Sequence, residues 1–200
     1  MDTKRILASG VLLFLSWLAA AEPVKDKDYW AIPTVQGIEP ATSDNLYFTW
    51  FGCSSCSTIE QQLAAELEGF EIVPLIARPE WRPAAKIFYV LQMLEIDPQV
   101  RQQLLIDIEQ AKLDPTNLEA MRLWLLEQPT VQEKVDEELL NKTLEDRQLF
   151  KRVAEAVALA KNYNIQYAPT VVVKGQYATD ARHTMTIKKF KDVLAYLKQL

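Results

Sequence analysis

The 200-residue chain has one histidine, two cysteines and five glycines, and from Glu71 to Lys174 it has no glycine at all. A zinc site built on the two cysteines would need two more ligands. There is no third cysteine and His183 is far away in sequence, so no metal is expected. A basic block is also missing: 22 Lys and Arg face 27 Asp and Glu, a net charge of −5. That excludes the electrostatic footprint of nucleic-acid binding. No collagen-like, low-complexity or repeated segment is present. With 49% hydrophobic and 24% charged residues, the chain can bury a substantial core and is no disordered tail. The length suits one domain with room for an insertion.

What is there begins with Met1 to Ala21, which has the three parts of a secretory signal peptide. Lys4 and Arg5 form the basic start, Ile6 to Ala20 the uncharged run, and Ala19-Ala20-Ala21 the small residues read at cleavage. Cleavage is expected after Ala21, leaving an exported, soluble chain, with the periplasm as its location. A retained membrane anchor is the alternative, but the apolar run is short against the ~20 residues of a bilayer span. No cysteine lies in this segment, so a lipoprotein N-terminus is excluded.

Export changes how the cysteines read, because disulfides form and persist outside the cytoplasm. Both lie in Cys53-Ser54-Ser55-Cys56. A disulfide stabilises mainly by closing a long loop, and this one would enclose two residues, so its structural value is small. A dithiol that cycles between oxidised and reduced states is the better reading. Such chemistry calls for no cofactor.

Around the motif, Asn45 to Phe51 is an apolar, aromatic stretch that predicts a buried strand, broken by Gly52. Ile59, Leu63, Ala64 and Leu67 recur at helical spacing and predict a helix from the motif to Gly69. Short strands are expected near Tyr29 to Ile32 and at Glu71 to Ala77, the latter at a sheet edge because of Pro74. From Arg82 to Asn162 the composition and spacing predict four or five helices. Asp97-Pro98 and Asp114-Pro115 each read as a cap followed by a proline at the first helical position. Thr130 with Glu133, and Thr143 with Asp146, read as capping boxes, the second opening a helix to about Lys161. A hairpin follows, Thr170 to Lys174, Gly175, and Gln176 to Ala178. Thr186 caps a last helix that shows Ile187, Phe190, Leu194 and Leu197 on one face. The sum is one α/β core, residues 22–200, with an inserted all-helical subdomain at about 82–162.

Thiol-disulfide exchange needs an exposed, stabilised thiolate and a second thiol to resolve the mixed disulfide. At a helix start, Cys53 would face free backbone N–H groups and the positive end of the helix dipole, so it is the expected nucleophile. Cys56, one turn further, would point toward the core and resolve. Ser54 and Ser55 either tune the Cys53 sulfur through hydrogen bonds or are ordinary helix-start residues; the sequence weighs both evenly. His183 reads as a surface-loop residue without a role.

These residues resemble a known family, the thioredoxin-fold thiol:disulfide oxidoreductases of the bacterial periplasm, most closely the DsbA-like group. The resemblance runs from about Tyr29 to Leu200. It rests on the aromatic strand leading into Phe51-Gly52-Cys53-Ser54-Ser55-Cys56, and on the strand exit from Pro74 to Trp81 with Ala84 and Ala85 opening a helix. The helical insertion and Tyr167-Ala168-Pro169-Thr170 before a Val-rich strand complete it. It implies a thioredoxin-like core, a cis peptide bond at Pro169 and pairing of Ala168 with an extended substrate segment. Residues alone would read Pro169 as the harmless first position of a strand. Two departures bear on the redox poise. The motif interior is Ser54-Ser55, where strongly oxidising members carry Pro-His, and the acidic residue that many relatives keep beneath the dithiol would fall near Tyr47.

Three functions follow as expectations. The first is an enzyme that donates the Cys53–Cys56 disulfide to unfolded or folding exported proteins and is reoxidised by a membrane partner. The second is a reductase or isomerase using the same pair. The third is a non-catalytic peptide-binding module with a structural disulfide. A monomer is expected.

Overall fold

The computed structural model describes residues 22–33 and 43–200. The expected leader and its cleavage site lie outside these residues. A five-stranded mixed sheet has the order β1-β5-β4-β2-β3, built from β1 (Trp30–Ala31), β2 (Leu46–Thr49), β3 (Glu71–Pro74), β4 (Thr170–Val173) and β5 (Tyr177–Asp180). β2 and β4 are buried throughout, as a run of apolar and β-branched residues in central strands requires. β3 pairs in parallel with β2 and forms the sheet edge, which Pro74 at its end tolerates. β4 and β5 form the expected hairpin; Lys174 and Gly175 both take positive φ, and the Gln176 N–H closes the turn on the Val173 carbonyl. β5 runs on to Asp180, two residues past Ala178.

Two helices cover one face of the sheet. Ile59 of α1 (Ser54–Gln62) and Phe190, Val193, Leu194 and Leu197 of α9 (Ile187–Leu197) pack on Tyr47, Val171 and Val173. Leu46, Phe48, Val73 and Val172 face the other way, against Ala156 and Ala160 of α7 (Arg147–Asn162). Thr186 caps α9 through the Lys189 N–H, as its sequence implies.

Between Arg82 and Asn162 the chain forms six helices, not four or five: α2 (Arg82–Met93), α3 (Pro98–Glu109), α4 (Leu118–Leu126), the single turn α5 (Pro129–Gln132), α6 (Glu137–Leu144) and α7. They share a core of Ile87, Leu91, Leu104, Met121, Leu140 and Leu149 that reaches Phe51 beside the dithiol. Asp97 caps α3 through the Gln99 N–H as expected. Other starts differ from the sequence reading. Asp114 accepts from the Thr116 N–H and hydroxyl in a turn, and Asn117 is the cap of α4. Pro129 takes the first position of α5, so Thr130 lies inside the helix and caps nothing. Thr143 lies inside α6, its hydroxyl donating to the Leu139 carbonyl, and Asp146 alone caps α7. α1 stops at Gln62, and turns, not helix, carry Leu63 and Leu67 to Gly69. One further short helix, α8 (Ala181–Thr184), was not anticipated and contains His183.

Candidate active site

Cys53 and Cys56 form a disulfide at the start of α1, their Cα atoms 5.2 Å apart. Cys53 is the N-cap residue in extended backbone, so its side chain sits where a capping oxygen would and accepts from the Cys56 N–H at 3.1 Å. The Ser55 hydroxyl lies 3.3 Å from the same sulfur, close enough to donate to it. Ser54 is exposed, and its carbonyl accepts from Thr58; it makes no contact with either sulfur among the described interactions. Cys53 is half-buried, whereas Cys56 is 1% exposed. The two sulfurs therefore differ in access: a molecule arriving from solvent meets Cys53.

The loop before β4 closes one side. The Ala168–Pro169 peptide bond is cis, and the Ala168 carbonyl oxygen is 3.6 Å from the Cys53 sulfur. The Thr170 hydroxyl ties this loop back to the Tyr167 carbonyl, and the Ala181 N–H of α8 donates to the Pro169 carbonyl. On the opposite flank the Trp50 indole stacks on Trp81. Gly52 passes so close to the Trp50 ring that a Cβ there would run into it, which is why a glycine precedes Cys53.

Beneath the dithiol the residues that matter come from three elements. Tyr47 of β2 is fully buried, and its hydroxyl donates to the Cys56 carbonyl at 3.2 Å. Burial, reinforced by the Glu60 charge, pushes the Tyr47 phenol well above its usual range, so Tyr47 stays neutral. Glu60 of α1 accepts from the Thr49 hydroxyl at 2.6 Å and pairs with Arg101 of α3 at 2.6 Å. The Arg101 guanidinium also lies over the Phe51 and Phe88 rings. A carboxylate is thus bonded to the end of β2, carried by α1 and not by the strand itself. Sequence reasoning missed it, although Glu60 follows Cys56 by four residues, the spacing that shares one helix face. Nothing local marked Arg101 as its partner.

A cavity of about 180 Å³ opens next to the dithiol, between Ser55, Thr58 and Ile59 of α1 and Met185, Ile187 and Phe190. Its lining is mainly apolar, and Met185 stands 80% exposed at its rim. Among the described residues no group of His, Cys, Asp and Glu is arranged to hold a metal ion, and no helix is long and apolar enough to cross a membrane.

Sheet, inserted helices and a Cys-x-x-Cys disulfide at a helix start, facing a cis-proline loop, define a thioredoxin-fold dithiol protein with a helical insertion. The chain is DsbA-like, as its sequence implied. A thiol:disulfide interchange protein DsbA of Burkholderia cepacia is 26% identical over 200 residues, covering 96% of this chain and 92% of the relative. The solved DsbA of Pseudomonas aeruginosa superposes with a TM-score of 0.73 at 19% identity, covering 88% of this chain and 93% of that one. The oxidoreductase DsbA from Xylella fastidiosa does so with 0.74 at 19% identity, covering 90% and 97%. No family model matches the chain.

Proposed function

We propose that this protein is a disulfide donor: a thiol:disulfide oxidoreductase that passes the Cys53–Cys56 disulfide to thiols of exported proteins. The observation that carries the reading is the asymmetry of the pair, one sulfur reachable and cradled by donors, the other buried. A substrate thiolate attacks the Cys53 sulfur, the Cys53–Cys56 bond breaks, and Cys56 leaves with the electron pair. A second substrate thiolate then attacks the substrate sulfur of the mixed disulfide and releases Cys53 as a thiolate. The substrate is oxidised by two electrons and the pair is reduced. The released thiolate is held by the Cys56 N–H, the Ser55 hydroxyl and the start of α1, which favours donation.

Ala168 and Pro169 lie where an extended substrate segment would run past Cys53, and the apolar cavity beside Met185 suits the side chains of an unfolded chain. Ser55 has the tuning role; Ser54 is the ordinary helix-start residue. Sustained turnover needs an oxidant for the reduced pair, and a membrane redox partner fills that place. The work is done after export to the periplasm, with the leader removed after Ala21, a reading supported by the basic start, apolar run and small residues of Met1 to Ala21. The helical subdomain at about 82–162 is tied to the dithiol-bearing helix α1 through the Arg101–Glu60 pair.

The test is trapping. Cys56→Ser in the reduced state, offered a peptide disulfide, should accumulate a mixed disulfide at Cys53, and Cys53→Ser should accumulate none. Equal trapping by both variants, or by neither, would contradict the assigned roles.

A further inference from the structure

A second cavity, of about 240 Å³, lies on the far side of the cis-proline loop. Its walls include Trp30, Tyr167, Thr170, Asp180, Arg182 and His183. Tyr167 and Thr170 bracket the Ala168–Pro169 bond, and α8 separates this cavity from the apolar one: Ala181 and Thr184 line the first, Arg182 and His183 the second.

Its chemistry is set by Asp180, whose side chain is 2% exposed. One carboxylate oxygen accepts from the Arg182 and His183 N–H groups and pairs with His183 Nδ1 at 2.6 Å. The other accepts from Arg182 Nε and Nη2, at 3.0 and 2.7 Å. The carboxylate is saturated, while Arg182 Nη1 and His183 Nε2 have no hydrogen-bond partner among the described residues. Capping a four-residue helix accounts for the backbone bonds but not for a guanidinium and an imidazole locked in place with one edge each left free. Aromatic faces fix them further: the Arg182 guanidinium lies 3.2 Å from the centre of the Tyr167 ring, and the His183 and Trp30 rings are 4.9 Å apart.

From this geometry, and resting on the donor reading above, we infer that the cavity is a substrate subsite that takes an acidic side chain of the polypeptide being oxidised. A carboxylate of Asp or Glu entering beside Tyr167 meets Arg182 Nη1–H and the free Nε2 edge of His183, with Asp180 holding both side chains in place. An extended segment covers about 3.3 Å per residue, and the peptides below carry the acidic residue at the second to fourth position from the cysteine that attacks Cys53.

His183 is the single histidine of the chain, so its imidazole resonances are unambiguous. The experiment follows those resonances in the oxidised full chain at about pH 6. The probe is a blocked peptide with Ser in place of Cys and Glu at the second to fourth position, compared with its Gln counterpart and with sodium acetate. A saturable imidazole shift with the Glu peptide alone supports the subsite. No shift, or the same shift with acetate at equal concentration, overturns it. In parallel, reduced two-cysteine versions are offered as substrates. The Glu peptide should be oxidised about fivefold faster than the Gln peptide at low salt, and Arg182→Gln should bring that ratio close to one. Equal rates with the unsubstituted protein overturn the subsite while leaving the donor reading standing. If neither peptide is oxidised, the donor reading fails, and the imidazole titration decides the subsite by itself.

Discussion

Trp50 and Trp81 are stacked face to face, with ring centroids 4.2 Å apart and planes 9° from parallel. One belongs to the segment that delivers Cys53, the other to the turn Pro79–Trp81 that opens the inserted helices, so the pair joins the dithiol loop to the insertion. Reduction of the disulfide should therefore change tryptophan emission, and Trp81→Phe should alter the size of that change. Steady-state fluorescence of the oxidised and reduced protein checks it; identical spectra would contradict the proximity. Gly52→Ala should displace the Trp50 ring and be visible in the same spectra, because the ring fills the space a Cβ would need.

The Ser55 hydroxyl offers the Cys53 sulfur a hydrogen bond that grows stronger when that sulfur is a thiolate. Ser55→Ala should make the protein a weaker oxidant. A loss of about 1 kcal/mol corresponds to a potential about 20 mV more negative. Equilibration of the variant with glutathione buffers measures the shift, and an unchanged potential would return Ser55 to plain helix-start chemistry.

Glu60 and Arg101 link α1 to the insertion in a site where both side chains are mostly buried. Glu60→Gln leaves the Arg101 charge without its partner, which should cost about 1 to 3 kcal/mol. Chemical denaturation gives the difference. A variant as stable as the parent would mean that Arg101 finds solvent at no cost.

How much of this was legible in the sequence varies by element. The dithiol and the hairpin were readable because each is local, a Cys pair and a glycine between strands. The caps at Asp97 and Thr186 were readable for the same reason. The cis bond at Pro169, by contrast, came only from the family resemblance, since the residues alone read it as the first position of a strand. The starts at Asp114, Thr130 and Thr143 misled, because several capping residues stand within a few positions of each other and packing selects among them. α1 stops at Gln62 although Leu63 and Leu67 continue its spacing; both residues are still used, but in turns. Arg101 and Asp180 could not be found locally. One serves a helix in another layer and the other pairs within a helix of a single turn, and neither leaves a periodic trace.

Asp180 gives a stability signature with a definite sign. Burial alone would raise its carboxyl, but the hydrogen bonds from His183 and Arg182 outweigh burial and hold it below the ordinary range. A carboxyl lowered in the folded state stabilises above its unfolded pKa, about 3.9, and loses that contribution as pH falls through the folded value. Asp180→Asn should therefore be less stable than the parent by about 1 to 2 kcal/mol near neutrality, discounted for the exposure of Arg182 and His183. The gap should close below about pH 4. Denaturation curves across that range decide it, and a gap that widened on acidification would contradict the assignment.

The most direct test of disulfide donation is the equilibrium reduction potential of the Cys53–Cys56 pair, read by mass shift after thiol alkylation in glutathione buffers. A donor poise lies between roughly −120 and −180 mV, and that is the expected value. A potential near roughly −270 mV would mark a reductase instead, and a pair that resisted reduction across the whole range would leave a structural disulfide and contradict donation altogether.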